Sequence, residues 1–260
     1  MNAMNAPELA QAHSPVTAWP LEENLWGYLK RLRFVHEHAS AISAQTVLDI
    51  GCGNGSQLAI PLGQLGYRVT GIDPHKASIE RAQMHGTGNF ICGFSHDLPT
   101  CNFDVVIISE VLEHLHDPQC LLADSLRFIA PNGILIVTVP NGYGEFEIDS
   151  RLYYGARLNR AFDGFYRLRR RLIGKPDPAA EVAGSDDTAG HVQRFTLKHI
   201  NRLFLSCGLG IKDKRPGPFL AGPLVSNTLA RIPGFLNFNV SISDRLPMVL
   251  SSGWLFCLKQ

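Results

Sequence analysis

The stretch Asp49-Ile50-Gly51-Cys52-Gly53-Asn54-Gly55 restricts this chain more than any other. It grows out of Thr46-Val47-Leu48, a short apolar run that, with Asp49 and Ile50, reads as a buried strand closed by glycines. A glycine-rich turn between a strand and a helix lets backbone approach a ligand closely and turns the helix N-terminus toward it. The spacing here is G-x-G-x-G, not the G-x-G-x-x-G of dinucleotide-binding turns. The next apolar run ends in Asp73, 18 positions after Gly55, where a carboxylate can accept hydrogen bonds from ribose hydroxyls. Asp49 adds a second carboxylate. Two acids around such a turn suit a ligand carrying an ammonium and a sulfonium better than one carrying a pyrophosphate.

The pattern around the turn predicts βαβ units. Ser56 to Leu65 reads as a helix ended by Gly66, Tyr67 to Ile72 as a second strand, and Pro74 to His85 as a second helix. Asn89 to Cys92 and Phe103 to Ser109 follow as strands, Pro118 to Ile129 as a helix, Pro131-Asn132-Gly133 as a turn, and Ile134 to Val139 as a fifth strand stopped by Pro140. Alternation of this kind implies a parallel sheet covered on both faces. Later, Thr196 is a plausible N-cap for a helix to Cys207, and Gly208 ends it. Leu209 to Lys214 and Trp254 to Leu258 complete the strands, while Pro216 to Pro247 is apolar and punctuated by Pro and Gly, without an assignable pattern.

The chain resembles the class I S-adenosylmethionine methyltransferases from about Thr46 to Cys207. The resemblance is carried by Val47 to Gly55, Gly71-Ile72-Asp73-Pro74, Phe103-Asp104-Val105-Val106, Glu110-Val111-Leu112-Glu113-His114-Leu115 and Pro131-Asn132-Gly133-Ile134-Leu135. It implies an α/β Rossmann-like fold: a seven-stranded, mostly parallel sheet with an antiparallel final strand, helices on both faces and an inserted lid. It also implies S-adenosylmethionine across the carboxyl ends of the first strands. Asp73 with Pro74 would hold the ribose, Gly51, Cys52, Gly53, Asn54 and Gly55 would wrap the methionine portion, and Asp49 would orient its amino group. Ser109 and Glu110 would close the pocket from the fourth strand. Relatives often carry an aspartate four positions before the Leu-Pro of the third βα loop; here that position is Phe94, which can stack on adenine while Ser95 offers backbone or hydroxyl contacts.

Methyl transfer is an in-line displacement, so positioning supplies much of the catalysis, and a hydroxyl acceptor also needs its proton removed. Glu110, Glu113 and His114 fall at the carboxyl end of the fourth strand, where sites lie in open α/β sheets. His114 is the candidate base, with Glu113 and, further on, His191 as catalytic partners. The plain alternative has Glu110 bounding the strand, Glu113 solvated and His114 packed with Leu115. The cluster resembles the site of ubiquinone-pathway O-methyltransferases and, more loosely, of small-RNA 2′-O-methyltransferases, where it accompanies a divalent metal. Mg²⁺ or Mn²⁺ would suit two carboxylates with imidazoles, but a metal is not the favoured reading.

The chain divides into an N-terminal tail and helix (1–40), a cofactor-binding half (41–141), a lid (142–190) and a C-terminal part with an apolar cap segment (191–260). Met1 to Pro20 lacks the pattern of a secretory leader and reads as a partly disordered tail. In the lid, Leu158, Phe162, Phe165 and Leu172 form an apolar helical stripe. Arg167, Arg169, Arg170, Arg171 and Lys175 lie opposite, and Pro176 to Gly190 reads as a mobile loop. The aromatics Tyr143, Phe146, Tyr153, Tyr154, Phe162, Phe165 and Tyr166 suit an apolar substrate pocket or the lid's own core. The arginines suit anionic-lipid contact or a solvated face. A net charge of +1 gives no reason to invoke nucleic acid. Six scattered cysteines without a C-x-x-C indicate reduced thiols in the cytoplasm. The expectation is an O-methyltransferase acting on a small or lipid-like molecule, with peripheral membrane contact compatible and oligomeric state open. The alternatives are a metal-dependent RNA 2′-O-methyltransferase and a non-catalytic binding protein on the same fold.

Overall fold

The computed structural model describes residues 25–144, 149, 152–153, 192–222, 225, 228–229, 232 and 235–260. The lid helix, its arginine run, the loop before Gly190, and Phe146, Tyr154, Phe162, Phe165, Tyr166 and His191 lie outside them.

The strands are β1 (Thr46–Ile50), β2 (Arg68–Asp73), β3 (Asn89–Cys92), β4 (Phe103–Ser109), β5 (Ile129–Pro140), β6 (Gly210–Pro216) and β7 (Gly253–Lys259). They form one seven-stranded sheet in the order β3-β2-β1-β4-β5-β7-β6. β1 to β5 are parallel, and β7 runs antiparallel to both β5 and β6. This is the mostly parallel sheet the residue pattern predicts. All carboxyl ends of β1 to β5 therefore share one edge, and the order reverses between β1 and β4. That switch point opens a crevice for ligands.

Alternating strand residues feed two apolar layers, as the pleat requires. Val47, Val105, Ile107, Ile134, Ile136, Leu255 and Cys257 pack with α1 (Leu25–Ala41), α2 (Ala59–Gln64) and α3 (Lys76–His85) through Leu32, Val35, Leu62, Ile79 and Ala82. Leu48, Ile108, Val137, Trp254 and Phe256 pack on the other face with α4 (Pro118–Ser125), Phe128 and α5 (Leu197–Ser206) through Leu122, Ile200 and Phe204. Each fully buried aliphatic side chain contributes about 2 kcal/mol of burial. α6 (Phe235–Ser243) falls in the unassigned apolar stretch and packs against α1.

Three boundaries differ from expectation by three residues or more. The first crossover helix begins at Ala59, not Ser56, because Asn54 Oδ1 accepts both Ser56 N (3.1 Å) and Ser56 Oγ (2.8 Å) and keeps the chain turning. The helix expected over Pro118 to Ile129 stops at Ser125. Asp117 caps its start by accepting Cys120 N at 3.2 Å, and a 3₁₀ turn over Leu126–Phe128 leads into β5. The turn expected at Pro131-Asn132-Gly133 is absorbed into β5 as a bulge. The register moves from Phe103↔Ile129 to Val105↔Ile134 there, and Asn132 has φ 72°.

Candidate active site

The turn after β1 is held from beneath by β2. Gly51 N and Cys52 N both donate to Ile72 O, at 2.8 and 3.2 Å. Gly51 has φ 76°, and a Cβ there would come within 2.4 Å of Val111 Cγ2, so only glycine lets the turn lie against the loop after β4. Gly53, at φ 55°, faces open space with nothing within 4 Å of a built Cβ. Gly55 N closes the turn on Cys52 O at 2.9 Å. Asp73 ties turn and second crossover together: Oδ2 accepts Gly53 N at 2.9 Å and Oδ1 accepts His75 N at 2.8 Å. Pro74, between them, is exposed.

Asp49 is buried at 3% exposure. Burial pushes its carboxyl up to about 7, the neighbouring Asp73 carboxylate adds to this, and Arg31 opposes it. Burial also raises the Cys52 thiol, with Asp49 and Asp73 adding to the effect, so Cys52 is a neutral packing group at neutral pH. Phe94 is exposed and lies parallel to His96, ring centroids 5.5 Å apart, while its N–H donates to Asp97 Oδ2 at 3.1 Å. Ser95 is buried, donates its hydroxyl to Asp124 Oδ2 at 2.6 Å and accepts Arg127 through its carbonyl at 2.8 Å. Its hydroxyl is thus committed internally, and the third loop turns Phe94 outward.

Beyond β4, Glu110 adopts φ 56° and its N–H donates to Thr138 O at 3.0 Å. Thr138 Oγ1 donates to Glu110 Oε1 at 2.7 Å and meets Ser109 Oγ at 2.9 Å, joining the ends of β4 and β5. Leu112–His114 forms a 3₁₀ turn. Glu113 is buried at 1% exposure, its Oε2 has no partner among the described residues, and burial followed by the Glu110 charge holds its carboxyl well above the usual range. His114 Nε2 lies 3.8 Å from Glu113 Oε1, and the histidine side chain is 37% exposed. Val192 N and Gln193 N both donate to Glu113 O at 2.9 Å, so the segment after His191 docks on this turn.

The residue-level reading missed Arg31. It reaches from α1 into the same crevice, 6% exposed, donating to Gln57 Oε1 at 2.7 Å and Ser109 Oγ at 3.3 Å, with Glu110 Oε1 at 3.8 Å. Its Nε has no partner among the described residues. A signal existed: Arg31 stands four before Val35, on the stripe shared with Leu32 and Ala39. Even with Asp49 and Glu113 protonated by burial, Asp73 and Glu110 against one guanidinium leave the crevice net acidic, a fit for an ammonium and a sulfonium, while the orphaned Nε–H suits a carboxylate. The residues therefore fit S-adenosylmethionine. Among the described residues no group of three or more His, Cys, Asp or Glu is arranged to hold a metal ion.

Residues 25–212 match the model of a methyltransferase domain family. A ubiquinone biosynthesis O-methyltransferase of Rickettsia typhi is 30% identical over 156 residues, 54% of this chain and 63% of that protein. The mitochondrial ubiquinone biosynthesis O-methyltransferase of Bos taurus is 33% identical over 124 residues, 44% of this chain and 33% of that protein. The chain thus spans less than two thirds of these relatives. A solved SAM-dependent methyltransferase from Archaeoglobus fulgidus superposes with TM-score 0.52 at 15% identity, covering 89% of this chain and 93% of that one. An S-adenosylmethionine-dependent methyltransferase from Clostridium acetobutylicum superposes with TM-score 0.53 at 12% identity, covering 96% and 97%. With the glycine turn, Asp73 and the strand order where this fold requires them, the chain belongs to the class I S-adenosylmethionine-dependent methyltransferases.

Proposed function

We propose that the chain methylates an oxygen of a small or lipid-like molecule, with His114 as the base. The observation that carries the reading is the Glu113–His114 pair at the carboxyl end of β4. One member is fully buried, the other is open to the crevice, and they lie 3.8 Å apart. When bound, S-adenosylmethionine supplies an electrophilic methyl group. Asp73 and the Gly51 to Gly55 turn hold it, Asp49 and Arg31 orient its amino acid end, and the acidic crevice favours its positive charge. His114 takes the acceptor's hydroxyl proton as the acceptor oxygen displaces sulfur from the methyl carbon, and Glu113, 3.8 Å behind it, positions the ring. The O-methyltransferase names of the relatives support an oxygen acceptor, and exposed Tyr143 and Leu152 beyond β5 support an apolar one. Cytoplasmic placement belongs to the same proposal, supported by cysteines that are all unpaired.

The test is methyl transfer from labelled S-adenosylmethionine to a panel of phenols and catechols with and without isoprenoid tails. At least one should be methylated, and His114→Ala should lower kcat about 100-fold or more with the KM for S-adenosylmethionine little changed. Full activity in His114→Ala would overturn the assignment of the base.

A further inference from the structure

Lys30 and Arg31 are neighbours on α1, and both are buried. Successive helix residues point about 100° apart, so they enter different parts of the molecule. Arg31 enters the cofactor crevice. Lys30 enters the C-terminal cap, its Nζ 2.7 Å from Asp244 Oδ1, 2.5 Å from Ser243 Oγ and 3.5 Å from Gly217 O. These partners come from the last turn of α6, the residue after it and the end of β6. The far end of α1 is held as well. Glu37 Oε2 accepts Arg215 at 2.6 Å, and His38 Nε2 lies 3.0 Å from Asp213 Oδ2, both on β6.

We propose that Lys30 is a positioning residue: paired with Asp244 and Ser243, it sets the seat of α1 so that Arg31 meets the amino acid end of the cofactor. A lysine is an expensive choice for packing alone. Burial lowers its pKa more than the Asp244 hydrogen bond and charge raise it, and Arg215 and Arg33 lower it further. An apolar residue of similar length there would be as stable or more so. What an apolar side chain lacks is direction: three hydrogen-bond contacts define one seating of α1 against the cap, whereas a methionine tolerates several. Asp244 is 55% exposed and can be hydrated if its partner is removed, so the substitution orphans no buried charge. Lys30 thus acts on affinity through Arg31, and only weakly on stability.

The inference rests on the cofactor reading, and the experiment separates the two. Calorimetric titration with S-adenosylhomocysteine is run on the full chain, on Lys30→Met, Asp244→Ala and Arg31→Gln, and on Lys30→Met combined with Arg31→Gln, with thermal midpoints alongside. Lys30→Met and Asp244→Ala should each raise Kd about tenfold, the scale of one charge-assisted hydrogen bond. Lys30→Met should keep the wild-type midpoint within a few degrees and raise the KM for S-adenosylmethionine without lowering kcat. On the Arg31→Gln background Lys30→Met should add less than about twofold, because the route is already cut. Lys30→Arg should recover part of the loss. A Kd unchanged in both single variants would overturn the proposal, as would effects that multiply with Arg31→Gln. Absence of binding by the unaltered chain would overturn the cofactor reading and this inference with it.

Discussion

Asp49 is a buried carboxyl group on β1, in register with Gly71 of β2 and Ile107 of β4, and burial pushes it up to about 7 from an ordinary value of 3.8. The raised value means the folded free chain holds a proton that the unfolded chain has lost. Stability therefore falls as pH rises from 3.8 to about 7, and is level above. An ammonium bound against Asp49 reverses the balance by favouring the carboxylate, so binding expels the proton. Affinity for S-adenosylhomocysteine should accordingly rise with pH and level off above about 7, being about tenfold weaker at pH 6 than on the plateau. Titrations in two buffers of different ionisation enthalpy would read the released proton directly. Asp49→Asn should flatten the profile; a slope that survives it belongs to another group.

The glycine turn is an element, and its first two glycines, Gly51 and Gly53, do different jobs. Gly51 lies under Val111 and in the left-handed region. Gly51→Ala should destabilise the fold by about 3 kcal/mol, adding backbone strain to overpacking. Gly53→Ala meets no protein atom, so it should cost about 1 kcal/mol of backbone strain while placing a methyl group in the cofactor's space. Denaturant unfolding and calorimetric titration together should show Gly51→Ala failing mainly in stability and Gly53→Ala mainly in affinity. Equal losses of stability would contradict this division. At this scale the sequence is an open text. Strand, turn and acid are local features, and β1, β3 and β4 fall on their expected residues. The β5 bulge was not legible, because Asn132 turns within a strand only when β4 runs beside it.

The whole molecule depends on β7, which enters the sheet last and lies between β5 and β6. Trp254, Phe256 and Leu258 join one apolar layer, and Leu255 and Cys257 join the other. Trp254 Nε1 also donates to Met248 O at 2.8 Å. Deleting residues 253–260 would strip partners from two strands at once and uncover both layers, so the truncated chain should show no cooperative unfolding transition by circular dichroism. A truncated chain that unfolds like the full one would refute this role for β7.

Local sequence determined the glycine turn, the paired acids Asp49 and Asp73, and the Glu110 to His114 cluster, because each is a short-range pattern of backbone need and charge. Only the tertiary structure decided what surrounds them. Arg31 reaches the crevice from a helix 18 residues before Asp49, and Lys30 meets Asp244 across 214 positions. Their meaning depends on which faces the sheet order brings together. Burial is likewise a property of the assembled layers: Glu113, a catalytic candidate along the chain whose plain alternative is a solvated acid, is nearly inaccessible in the fold. Charge and spacing are written in sequence, whereas the dielectric around a charge is set by everything packed over it.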